Sequence, residues 1–159
     1  MKGRSMDLGD LISRDSVIPA LKAKNKKHAL QLLAARAAEI SRLDARMILE
    51  TLVQRENLGS TGVGRGIAIP HGRMAGLDRI MSVFARLETP IPFDAIDGEP
   101  VDLMFLLLAP QHAGAEHLKA LARISRLLRD THAIETLRAS NDREALHAVL
   151  TQPLASAAA

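Results

Sequence analysis

The sequence predicts an α/β fold, a single domain with a small mixed β-sheet flanked by helices, and three observations carry that expectation. Residues 101–109 are almost uninterrupted hydrophobe, the mark of a central strand covered on both faces. Over residues 26–40, Leu30, Leu33, Ala34 and Ala37 recur at i, i+3, i+4 and i+7, the stripe of an amphipathic helix. Short β-compatible segments alternate with such helices instead of being segregated from them, which calls for a layered sheet with helices on its faces. The 159 residues suffice for one domain with a buried core. It is expected to span 1–159, with its core at about 7–150 and an apolar-small tail, 151–159, that frays.

In chain order, a short helix is expected over Leu8–Ile12. Val17-Ile18-Pro19 reads as an edge strand, because Pro19 has no N–H for a second neighbour. Lys22, Lys24, Lys26 and Lys27 read as a solvated basic run ahead of the first helix. Ser41 is expected to cap a second helix, which carries Ala45, Ile48, Leu49 and Leu52 on one face and ends near Arg55–Asn57. A glycine-rich loop follows, then a short buried strand over Ile67–Ile69 stopped by Pro70. Residues 80–87 form another strand, Pro90 and Pro92 a turn or edge, and 94–100 a loop. After the central strand, helices are expected over 115–129, 130–139 and 141–150. The first of them turns Leu118, Leu121, Ala122 and Leu128 inward, and the last has Asn141 as N-cap and Glu144 at N3.

Composition narrows the function. No apolar run reaches the roughly 18–20 residues that span a bilayer, and no export signal is visible at the N-terminus, so a cytoplasmic protein with no membrane insertion is expected. The absence of Cys excludes disulfides and thiolate chemistry. A net charge of +3 with only three aromatic residues, all Phe, lacks the dense basic, aromatic-studded surface of a nucleic-acid binder.

The chemistry concentrates between Gly59 and Gly72, where five of fourteen residues are Gly. Gly59 and Gly64 have the glycine spacing of a phosphate-binding P-loop, but Arg65-Gly66 stands where that motif needs Lys then Ser/Thr. The spacing of Gly62, Gly64 and Gly66 also misses the dinucleotide fingerprint. There is no Gly-x-Ser-x-Gly elbow. Six histidines invite a metal, yet no His-Glu-x-x-His occurs, and no metal is expected. The carboxylates Asp94, Asp97, Glu99 and Asp102 read as a solvated loop. His71 remains, set between a rigid Pro and a Gly at a strand end. A neutral imidazole there can attack phosphorus through one nitrogen if the other holds its proton in a hydrogen bond.

The segment Arg55-Glu56-x-x-Gly59-Ser60-Thr61-Gly62, followed by Gly64-x-Gly66-Ile67-Ala68-Ile69-Pro70-His71-Gly72, resembles the signature of the mannitol/fructose-type IIA domains of the phosphoenolpyruvate-dependent phosphotransferase system. The run from Glu88 to Leu103 is similar to the nitrogen-regulatory branch of that family, and the resemblance covers about residues 7–150. It implies that His71 accepts a phosphoryl group at Nε2 from an HPr-like phosphocarrier. It further implies that His117 and Arg55 stabilise that group, and that Ser60, Thr61, Gly62 and Gly72 contribute to binding, with no cofactor. Implied targets govern nitrogen metabolism and potassium homeostasis, such as potassium transport or sensor kinase components. Two alternatives stay open: a sugar-specific fructose or mannitol IIA component that feeds a separate permease IIB, and a protein-binding module that is never phosphorylated. Arg65 departs from the Asn common at its position in the family and is expected to add a positive charge close to His71. Lys119, Arg123 and Arg126 form either a solvated helix face or a docking face.

Overall fold

The computed structural model describes residues 8–152, so the expected frayed tail lies outside them except for Thr151 and Gln152. The architecture is a six-stranded mixed sheet with helices on both faces. Strand β6 (Val101–Pro110) is its axis. The antiparallel strand β5 (Met81–Ile91) lies along one side of it, with Phe84 opposite Phe105. Strand β1 (Val17–Leu21) pairs parallel with the outer side of β5 and forms an edge, as Pro19 requires. Side chains along β6 alternate between two cores. Leu103, Phe105, Leu107 and Ala109 join the core under helices α3 (Ala115–Arg129), α4 (Thr131–Ala139) and α5 (Arg143–Thr151), where the Phe84 and Phe105 rings meet at 5.1 Å. Met104, Leu106 and Leu108 face helices α1 (Lys26–Ser41) and α2 (Ala45–Asn57).

The other side of β6 carries two short strands end to end, β3 (Ile67–Ala68) and β4 (His71–Met74), both parallel to it. Their register is one register: Ile67 sits opposite Leu103 and Met74 opposite Pro110, with the same offset at every paired position between. Pro70 does interrupt the strand, since β3 ends at Ala68, but it does not take the chain off the sheet. Pro70 forfeits one donor, worth about 1 kcal/mol, but its carbonyl still accepts from Leu107 N at 2.9 Å. Burying Ile69, about 1.5–3 kcal/mol, outweighs that loss, so the chain stays on the sheet. His71 opens a second strand segment rather than lying beyond the end of the sheet.

The helix starts differ from the sequence expectation by a few residues. Asp44, not Ser41, caps α2, accepting from Arg46 N at 2.9 Å, while Ser41 ends α1 and its hydroxyl accepts from Leu43 N. Asp142, not Asn141, caps α5 through Ala145 N. In both, a carboxylate one to three residues further on outcompetes the neutral side chain for the positive helix end. On α3 the inward stripe is His117, Ala120, Ile124, Leu127 and Leu128. Leu118 and Ala122 face outward instead, because the stripe that meets the sheet runs through His117 rather than its neighbour.

Within the glycine-rich stretch, β2 (Gly62–Gly64) forms a hairpin with β3 around Arg65-Gly66, both at positive φ, 58° and 80°. A two-residue turn of this hand favours Asn-Gly, and Arg65 stands at its first position. Asp97 accepts from Arg65 N at 2.9 Å, and that bond holds its carboxyl below the usual range. The loop's other end is anchored by a buried carboxylate. Glu56 accepts from both the amide and the hydroxyl of Thr61 and pairs with Lys26 at 3.0 Å, while Ser60 donates to Phe93 O at 2.7 Å. Glu56→Ala would leave the buried Thr61 amide and hydroxyl without their acceptor and Lys26 without its nearer carboxylate. A loss of about 3 kcal/mol is expected in urea denaturation, and a loss below about 0.5 kcal/mol would show the anchor to be dispensable.

Candidate functional site

The shared register of β3 and β4 decides which way the site residues point. Paired residues on parallel strands project to the same face, and alternate residues to opposite faces. His71, beside Leu107, therefore faces the α3 side together with Ile67, Ile69 and Arg73, whereas Gly72 and Met74 face α2. Gly72 is needed for that approach. A Cβ there would stand 2.6 Å from Thr51 Cγ2 on α2, inside any tolerable contact.

His71 Nδ1 lies 2.8 Å from the carbonyl of Ile69. A carbonyl only accepts, so the proton resides on Nδ1 and the lone pair of Nε2 is free. His117, at the third position of α3, meets this ring edge-on, with centroids 5.9 Å apart and planes at 67°. His117 is only 6% exposed. Its Nδ1 accepts from Arg73 Nε at 3.2 Å, so the neutral ring carries its proton on Nε2. That Nε2–H is buried and without a partner among the described residues. Burial first, then the neighbouring His71 and Arg73, hold the His117 pKa below its ordinary 6.5, so the neutral form is the resting one. The two rings thus have opposite tautomers: one offers a nucleophilic lone pair, the other an unused donor. The start of α3 adds the positive end of a helix dipole, with Gly114 as an N-cap that supplies no side-chain acceptor.

The remaining residues singled out by sequence fall around this pair. Arg55 donates from Nη1 to Gly59 O at 2.8 Å, one turn along α2 from the Thr51 that contacts Gly72. The hydroxyls of Ser60 and Thr61 are used inside the loop, and Gly62 makes room for Ala95, whose Cβ would lie 2.9 Å from an added Cβ. Arg65 is a correction: its guanidinium donates to Leu128 O at 2.9 Å, at the far end of α3. Eleven residues of helix, about 16 Å, separate that carbonyl from His117, so Arg65 adds no charge beside His71. The carboxylates read as a solvated loop have partners, Asp94 with Lys26 and Asp102 with Arg138. Among the described residues no group of three His, Asp or Glu side chains converges as a metal site requires, and no helix is long and apolar enough to cross a membrane. Sequence reasoning misses Arg73 and Glu56. The alternation Ile67, Ile69, His71, Arg73 is the available signal for the first, hidden when Pro70 is treated as a terminator.

A family model described as "Phosphoenolpyruvate-dependent sugar phosphotransferase system, EIIA 2" matches residues 10–152. The chain belongs to this family. It is 55% identical over 153 residues to a nitrogen regulatory protein of Bradyrhizobium diazoefficiens, covering 96% of this chain and 100% of the relative. The crystal structure of nitrogen regulatory protein IIA-Ntr from Neisseria meningitidis superposes with a TM-score of 0.86 at 35% identity, covering 91% of this chain and 99% of that one. IIA mannitol from Escherichia coli, at 19% identity and a TM-score of 0.75 over 88% of this chain and 99% of that one, shares the fold. The mixed α/β domain expected from sequence is thus the EIIA type-2 fold.

Two outcomes follow from the site's geometry. Gly72→Ala is expected to destabilise the protein by about 1–3 kcal/mol, and adding Thr51→Ala, which removes the clashing methyl, recovers most of that loss in thermal or urea unfolding. His117 has a folded-state pKa below its unfolded one, so the unfolded chain takes up this proton first as pH falls. Stability is then lost from about pH 6.5 downward until the folded-state pKa is passed. His117→Asn should flatten that slope in urea midpoints compared at about pH 7.5 and about pH 5.5, and an unchanged slope would contradict a neutral, buried His117.

Proposed function

We propose that this EIIA type-2 protein is a cytoplasmic regulatory phosphocarrier, with His71 as the acceptor. The observation that carries the reading is the pair of opposite tautomers at His71 and His117. In the transfer, the N–P bond of a phosphohistidine on an HPr-like carrier breaks and its electron pair returns to the carrier's imidazole. The His71 Nε2 lone pair forms the new N–P bond, while the Nδ1 proton stays hydrogen-bonded to the Ile69 carbonyl. The moving group demands positioning and charge stabilisation rather than covalent help. His117 Nε2–H, itself buried and already oriented, supplies a donor to a phosphoryl oxygen. Arg55, on the adjoining turn of α2, supplies positive charge at the rim. Leu118 is next to His117 and 66% exposed, an apolar contact for a docking carrier.

Phosphorylation adds about two negative charges to this surface, enough to change which proteins bind it. The relatives named nitrogen regulatory proteins support a regulatory output over sugar uptake. A sugar-specific role would require transfer onward to a fructose or mannitol IIB.

The test is incubation with phosphoenolpyruvate, the first enzyme of the system and an HPr-like carrier, followed by intact mass. One acid-labile phosphate is expected, absent in His71→Ala, and His117→Ala should slow transfer by about 10²-fold. Phosphate on His71→Ala, or none on the native protein with a competent carrier, overturns the proposal. Onward transfer to a sugar IIB would replace the regulatory reading with the transport one.

A further inference from the structure

Arg73 is an exposed residue on β4 whose side chain hydrogen-bonds His117. Its Nε–H is directed at His117 Nδ1 by the alternation that places His71 and Arg73 on the same face of the strand, two residues apart. An arginine is always charged and only donates. Whatever nitrogen it addresses must therefore present a lone pair, and the ring's single remaining proton is driven to Nε2. Among the described residues no other group bonds either nitrogen of this ring. Without Arg73, both neutral forms and the doubly protonated form would compete.

We propose that Arg73 is a positioning residue for phosphoryl transfer, fixing His117 as the neutral Nε2–H tautomer so that its unpartnered donor is available to the phosphoryl oxygens. This rests on His71 being the acceptor, but the tautomer control itself does not. Arg73 acts through His117, and the consequence is large: the wrong tautomer would present a lone pair to an incoming anion, turning an attraction into a repulsion. The guanidinium beside Nδ1 also opposes a second proton on the ring, along with His71 from the same strand. Other charged groups near the first turn of α3 are Asp10, Asp78, Arg79, Glu116 and Lys119, which line an adjoining cavity of about 620 Å³.

The experiment follows the His117 imidazole by NMR titration in the unphosphorylated protein, with single-turnover transfer from the phosphorylated carrier measured alongside. Arg73→Ala should raise the His117 titration midpoint, bring in the Nδ1–H form, and slow transfer about tenfold without weakening carrier binding. Arg73→Lys, which keeps the charge but not the planar Nε–H, should restore part of the midpoint and less of the rate. A His117 titration and tautomer unchanged in Arg73→Ala overturns the proposal, as does an altered titration with an unchanged transfer rate. If the native protein takes no phosphate at all, the titration still reports on tautomer control, so failure of the phosphocarrier reading is seen separately.

Discussion

The pairing of residues 67–74 with 103–110 is the constraint on which the rest of this molecule depends. Because the register passes through Ile69-Pro70 without a slip, the alternation of faces set by Ile67 and Ile69 continues to His71 and Arg73. A shift of one residue would send both toward α2 and bring Gly72 to the α3 side. The hydrophobic demand of β6, buried on both faces from Leu103 to Ala109, makes such a slip prohibitive. The core therefore aims the site: packing energy from residues that do no chemistry fixes the direction of the residues that do.

Chemistry in the site comes from what each ring's Nδ1 meets. Ile69 offers a carbonyl and Arg73 a donor, so two identical side chains acquire opposite properties from their neighbours. Side-chain alternation along β4 places Arg73, and the backbone path joining β3 to β4 places the Ile69 carbonyl. The Glu56 anchor supports this arrangement from behind, because Thr61 O accepts from Ile69 N at 2.9 Å. A chain of bonds thus runs from Lys26 and Glu56 through Thr61 and Ile69 to His71. It ties the start of α1 and the end of α2 to the orientation of one imidazole.

Much of this architecture is legible in the amino-acid sequence. The apolar run at 101–109 announces the central strand, and the 3.6-residue stripe in 26–40 announces α1, because burial imposes those periods directly. Helix caps are harder, since Ser41, Asp44, Asn141 and Asp142 are all competent caps and only the three-dimensional path of the chain selects among them. The inward face of α3 is misread at Leu118 because a stripe holding a buried His117 does not look apolar. Local rules reach least far at Pro70 and Arg65. A proline reads as a strand end, but whether the chain leaves the sheet there depends on the partner strand. The position of Arg65 relative to His71 depends on the hairpin that carries it to the other end of α3. The His71–His117 contact joins residues far apart in sequence; motif resemblance brings the two together in expectation, and periodicity alone does not.

The most direct test of the account is long-range ¹H–¹⁵N correlation of the histidine side chains in the unphosphorylated protein at neutral pH. Opposite tautomers are predicted, with the proton on Nδ1 of His71 and on Nε2 of His117. The same tautomer on both rings, or a His117 that is doubly protonated at neutral pH, would contradict it.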